Sequence, residues 1–109
     1  MKKMLMVLFL TVPLSLFGTA GFAKETAKGK SGRELFQLHC SVCHPDGGNI
    51  VNPQKTLHNK DLAANNVKKP GDIIKKMRNP GLGMTKFDQK TISDKDAKKI
   101  GEYILKTFK

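Results

Sequence analysis

The amino-acid sequence predicts an all-α domain of four or five short helices. Three observations carry that expectation. Ala97, Ile100, Ile104 and Phe108 recur at i, i+3, i+7 and i+11 as one apolar stripe, with Tyr103 beside it. Helix-start signals stand at Ser31, with Glu34 three residues on, at Pro70 and at Ser93. Nowhere do strand-like runs alternate with helical ones, and there are no internal repeats or low-complexity stretches.

Residues 1–23 read as a secretory leader. Lys2 and Lys3 open it, Met4 to Phe17 is mostly apolar, and Gly21-Phe22-Ala23 places small residues where a signal peptidase reads. A spanning helix needs about 20 predominantly apolar residues. This run is interrupted by Thr11, Pro13, Ser15, Gly18 and Thr19, which favours cleavage over a retained anchor, so no permanent membrane span is expected in the mature chain. No cysteine lies near the junction to take a lipid. Cleavage would leave residues 24–109, which is 86 residues and one domain.

Residues 24–30 form a short polar tail, and the domain spans 31–109. Ser31 and Glu34 make a capping-box pattern. The first helix is expected to run through Leu35, Phe36, Leu38 and His39 and on to Pro45-Asp46-Gly47-Gly48, where proline and paired glycines end it. Ile50 to Thr56 reads as loop and Asn59 to Asn65 as a short helix. Pro70 can open the next helix in its first turn, with Ile73, Ile74 and Met77 at helical spacing. Asn79-Pro80-Gly81-Leu82-Gly83 breaks it and begins a loop carrying Met84. The last helix starts at Ser93, with Asp94 and Asp96 favouring its positive end.

Inside this framework stands Cys40-Ser41-Val42-Cys43-His44, the C-x-x-C-H attachment sequence of c-type haem. The two sulfurs can add across the haem vinyl groups as thioethers, and the adjacent imidazole then serves as the proximal iron ligand. A thioredoxin-like reading of the cysteine pair wants a βαβ context that is absent. Structural zinc would need four ligands, and only His39 and His58 remain as scattered extras. The leader supports the haem reading, because covalent haem is attached outside the cytoplasmic membrane. So does the short chain, whose mature aromatic set is only Phe36, Phe87, Tyr103 and Phe108: a covalently bound porphyrin would complete its core.

His44 is the proximal ligand on this reading. Candidates for the sixth position are Met84, Met77, His58 and His39. Met84 is favoured, since its Gly-rich loop can approach a flat ring. Met77 lies on a helical stripe where packing is expected. His39 shares the helical segment of His44, and His58 would give bis-histidine ligation.

The chain resembles the small class I cytochromes c, and most of all the short bacterial members and the soluble algal and cyanobacterial photosynthetic carriers. Gly32-x-x-x-Phe36, the C-x-x-C-H motif, Asn49 with Pro53-x-Lys55-Thr56-Leu57, Met84-x-x-Phe87, and Ser93-Asp94-x-Asp96 with Tyr103 carry the resemblance in order. It implies the cytochrome c fold around one covalent haem c per chain, bound through Cys40 and Cys43. It further implies His44 and Met84 as axial ligands and propionate contacts from Asn49 and Lys55. Thr85 departs from the pattern, because proline commonly follows the ligand methionine there. In the family's packing, Gly32 would let the first and last helices cross closely, flanked by Phe36 and Tyr103.

The whole chain has 20 Lys and Arg against 9 Asp and Glu, a formal charge of +11, and loss of Lys2 and Lys3 with the leader leaves +9. Export disfavours nucleic acid as the partner. The expected partners are redox proteins with acidic docking surfaces, steered by the summed field of the lysines. The reading of the sequence is a monomeric, soluble, periplasmic one-electron carrier and not an enzyme. Its rivals are a haem enzyme or gas sensor with a displaceable sixth ligand, and a cytochrome subunit of a larger reductase.

Overall fold

The computed structural model describes residues 29–109; the expected leader and most of the polar tail, through residue 28, lie outside them. Four α-helices follow in order: α1 (Gly32–His39), α2 (Asn59–Ala64), α3 (Pro70–Arg78) and α4 (Asp94–Thr107), with one 3-10 turn at Pro45–Gly47 between α1 and α2. Among the described residues there is no strand, so the all-α expectation holds.

The helix starts follow the sequence signals. The Ser31 hydroxyl accepts the Glu34 N–H at 3.2 Å, and the Glu34 carboxylate accepts the Ser31 N–H at 2.7 Å. That backbone N–H, followed by the Ser31 hydroxyl, holds the Glu34 carboxyl below its ordinary pKa. Pro70 opens α3, where the Asp72 carboxylate accepts the N–H groups of Lys68 and Lys69 at 3.0 and 3.2 Å. The Ser93 hydroxyl caps α4 by accepting the Asp96 N–H at 3.2 Å.

Two helix ends differ from the sequence reading. α1 stops at His39 and does not continue to Pro45. The Ser41 hydroxyl donates to the Gln37 carbonyl at 2.6 Å, a back-bond that bends the chain at the helix end. The Ser41 N–H turns back to Phe36 O at 3.0 Å, and the motif continues as turn. α4 stops at Thr107, leaving Phe108 as its C-cap. The Phe108 ring nonetheless stays on the stripe, 5.3 Å from the Phe36 centroid and 5.9 Å from that of Tyr103.

The hub of the packing is α4, which crosses α1 on one side and α3 on the other. At the first crossing, a Cβ on Gly32 would fall inside contact with the Lys99 carbonyl oxygen and 3.0 Å from Tyr103 Cβ. Phe36 and Tyr103 flank this crossing with centroids 5.4 Å apart. At the second, Gly101 lies against Pro70. Leu35, Phe36, Leu62, Ile73, Met77, Ala97, Ile100 and Ile104 form the core, and Ile92 joins it from the loop before α4. Each large apolar side chain so buried stabilises the fold by roughly 1.5–3 kcal/mol. The start of α2 is tied to the end of α4, because Asn59 donates its N–H to Phe108 O at 2.8 Å and its side-chain amide to Leu105 O at 3.2 Å.

Candidate functional site

The helices enclose a cavity of about 610 Å³, within the ~300–1,000 Å³ range of cofactor and ligand sites. Leu62, Val67, Ile73, Met77 and Ile104 give it an apolar lining from α2, α3, α4 and the turn after α2. Cys40, Cys43, His44, Asn49, Lys55 and Met84, the six residues singled out by the sequence, all line this one cavity.

The turn after the second cysteine orients His44. Its Nδ1 lies 2.8 Å from Gly48 O. A carbonyl only accepts, so Nδ1 donates to it, and in the neutral ring Nε2 then holds the lone pair, the tautomer of a metal-ligating imidazole. The segment is held locally: Gly48 N donates to Pro45 O at 2.8 Å, His44 N to Cys40 O at 2.9 Å and Ile50 N to Cys43 O at 3.0 Å. The 3-10 turn uses two left-handed residues, Asp46 and Gly47, with φ of 53° and 78°. A side chain on Gly47 would strike the Phe108 ring. Burial pushes the Cys40 thiol up to about 11, with neighbouring Cys43 adding a smaller push, while Cys43 itself is exposed.

Asn49 organises its own loop. Its side-chain oxygen accepts the N–H groups of Val51 and Asn52 at 3.0 and 2.9 Å, and its amide donates to Lys55 O at 2.9 Å. This leaves one amide hydrogen for a ligand. Lys55 brings a cation to the same lining. Thr56 hydrogen-bonds Asp61 and accepts the His58 N–H at 3.2 Å, joining this loop to α2.

The other candidate iron ligands are distributed differently. Met77 is 3% exposed and belongs to the core as well as the lining. His39 lines the cavity and meets Phe87 edge-on, with centroids 6.2 Å apart. His58 packs against Phe108, centroids 6.0 Å apart, and is not part of the lining. Met84 enters from the loop after α3, beside Gly83, whose φ is 88°. A Cβ on Gly83 would stand 2.8 Å from Val51 Cγ1, so glycine lets the Asn49 loop and the Met84 loop touch.

Sequence reasoning missed Arg78. Its guanidinium donates to the carbonyls of Phe87 and Ile92, both at 2.9 Å, and pairs with Asp94 at 2.7 Å. The available signal was composition, since Arg78 is one of only two arginines in a lysine-rich chain.

These residues fit a haem. Two thiols, an imidazole with its Nε2 lone pair left available, a thioether and an apolar lining meet in one cavity of suitable volume.

Comparison with known proteins agrees. Residues 27–104 match the family described as cytochrome c oxidase, cbb3-type, subunit III. The chain is similar to cytochrome c6 of Synechocystis sp., 35% identical over 88 residues that cover 81% of this chain and 70% of that one. Cytochrome c6 of Cyanidium caldarium is 29% identical over 99 residues, 91% of this chain and 89% of that one. Among solved structures, the outer membrane cytochrome F, OmcF, of Geobacter sulfurreducens superposes with a TM-score of 0.71 at 46% identity, covering 72% of this chain and all of that one. The chain thus belongs to the c-type cytochromes, as a small monohaem class I member with one covalently bound haem c, and it is an electron-transfer protein and not an enzyme.

Proposed function

We propose that this cytochrome is a diffusible periplasmic one-electron carrier whose haem is fixed by Cys40 and Cys43 and ligated by His44 and Met84. The observation that carries the reading is the meeting of an oriented imidazole, a loop methionine and both thiols on one apolar cavity. Bound haem supplies reversible exchange of one electron between ferric and ferrous iron. The protein's part is positional and electrostatic. Gly48 O holds the His44 ring, two thioethers would stop the macrocycle from turning, and the apolar lining disfavours the net charge of the ferric state, which raises the potential. Asn49 and Lys55 are placed to receive the propionates.

The surface supports transfer at an exposed edge. Val51 and Leu82 are apolar residues of the cavity lining, and Ile50 and Val42, outside the lining, are exposed apolar side chains in sequence beside it. Lys55 and Lys76 belong to the same lining. An apolar patch with lysines suits transient docking to an acidic partner. Export by the 1–23 leader, cleaved ahead of a 24–30 tail, supports the periplasm as the compartment. The Geobacter relative is named for the outer membrane, but this chain's two cysteines both lie in the haem motif, leaving none for a lipid. No helix among the described residues is long and apolar enough to cross a membrane.

Absorption spectroscopy of the holoprotein tests the ligation. Six-coordinate low-spin ferric haem with the methionine–iron charge-transfer band is expected, and Met84→Ala should abolish the band. Persistence of the band in Met84→Ala would sink the assignment. A second reading, a sensor with a displaceable sixth ligand, draws on Thr85 standing where proline commonly follows the ligand methionine; a wild-type ferric spectrum that is high-spin at rest would favour it.

A further inference from the structure

Arg78 ends α3, and its guanidinium reaches across the base of the loop that carries Met84. Nη1 donates to Phe87 O at 2.9 Å, while Nη2 donates to Ile92 O at 2.9 Å and pairs with Asp94 Oδ1 at 2.7 Å. The Phe87 N–H donates to Met77 O at 2.9 Å. Both backbone polar groups of Phe87, three residues beyond Met84, are therefore held by α3. Gln89 Nε2 holds the second Asp94 oxygen at 3.0 Å. No hydrogen bond ties residues 81–86 to the rest of the described residues, so this loop is held by Gly83 lying against Val51 and by the anchored Phe87 at its far end. The Arg78 side chain is only 21% exposed, which protects its bonds from competition by water. A planar fork can serve three acceptors at once, and a lysine ammonium cannot match that arrangement.

We propose that Arg78 is a positioning residue for the sixth iron ligand. By fixing the Phe87 carbonyl and the start of α4 together, it closes the Met84 loop and keeps the thioether in the cavity against competing ligands. The proposal rests on the reading that Met84 ligates the iron.

The test is an imidazole titration of the ferric holoprotein, followed by absorption, for wild type, Arg78→Ala, Arg78→Lys, Met84→Ala and Ile100→Val. Ile100 lies in the core away from the cavity lining, so Ile100→Val reports what general weakening does. Arg78→Ala should bind imidazole at least ~10-fold more tightly, equivalent to about 1.4 kcal/mol, with a weakened charge-transfer band. Arg78→Lys should fall between it and wild type, and Ile100→Val should stay within about 2-fold of wild type. Wild-type imidazole affinity in Arg78→Ala, with free binding in Met84→Ala, overturns the clamp and spares the ligand assignment. A retained charge-transfer band in Met84→Ala overturns both. An Ile100→Val effect as large as that of Arg78→Ala reduces Arg78 to a general structural role and overturns the proposal. Where Arg78→Ala does not assemble with haem, Arg78→Lys with Asp94→Asn makes the same comparison, and wild-type affinity in both refutes it.

Discussion

The same substitution, glycine to alanine, is expected to have opposite signs at two helix starts. Gly32 and Gly71 both lie in the first turn of a helix, and neither has a left-handed φ. At Gly71 a Cβ meets nothing within 4 Å. Alanine there narrows the unfolded ensemble and suits the helix, which should stabilise the fold by about 0.4–1 kcal/mol. At Gly32 the new methyl group meets the Lys99 carbonyl and Tyr103 Cβ, neither of which is the free end of a flexible side chain. α1 must then move off α4. Overpacking of this kind costs about 1–3 kcal/mol, and loosening the Phe36–Tyr103 pair removes part of a further ~0.5–1.5 kcal/mol. The helix gain offsets less than ~1 kcal/mol of that. The net expectation for Gly32→Ala is about 1–2 kcal/mol of destabilisation, or roughly 4–16 °C in Tm for a domain of this size. Thermal unfolding of both holoproteins, followed by far-ultraviolet circular dichroism, reads the contrast directly. Equal stability of the two variants would refute the close-crossing argument.

Three further outcomes are expected. Ile100→Ala, at a fully buried position, should cost about 2–5 kcal/mol by chemical denaturation. The carboxyls of Asp72 and Asp88 sit below their ordinary 3.8, chiefly through the backbone N–H of Lys68 and of Thr91 respectively. Depressed folded-state values mean that their stabilisation is present above that pH and lost as pH falls through the folded values, so Asp72→Asn with Asp88→Asn should flatten the acid limb of the stability curve below about pH 4. Charge reversal by Lys55→Glu with Lys76→Glu should slow stopped-flow electron exchange with an acidic redox partner and weaken its dependence on ionic strength.

How much the sequence disclosed depended on the reach of each interaction. Caps at Ser31 and Ser93 act within three residues, so their residue types alone announce them. The α4 stripe was legible because periodicity records burial, and the Gly32 crossing because the family resemblance supplied it, with Phe36 and Tyr103 where that packing needs them. The end of α1 was not legible, since there the N–H groups of Cys40 and Ser41 both turn back to Phe36 O, a main-chain arrangement that no residue type announces. The Gly48 partner of His44 and the Arg78 acceptors were hidden for a similar reason. Gly48 O, Phe87 O and Ile92 O are main-chain carbonyls, which every residue possesses, so no residue type marks them, and the Asp94 carboxylate that completes the Arg78 set lies sixteen residues away. Ile92 reaches the core from a loop, where no period selects it.

The two sides of the haem cavity are consequently built on different scales. Around His44 the bonds span three to ten residues, from that of Gly48 N back to Pro45 O to that of Leu57 N onto Gly47 O. That proximal unit is held mostly by its own neighbours, with Gly47 against the Phe108 ring as its link to α4. The Met84 loop instead depends on a guanidinium acting across nine to sixteen residues and on Val51 lying against Gly83. Its geometry therefore follows the relative positions of α3, α4 and the Asn49 loop. Under the proposed ligation, weakening the fold should release the methionine before the histidine, so stability at Met84 is a local quantity smaller than the global one. Opening measured by imidazole entry should then require less denaturant than loss of helix signal. Coincidence of the two transitions in wild type would show that the Met84 loop opens only when the whole domain does.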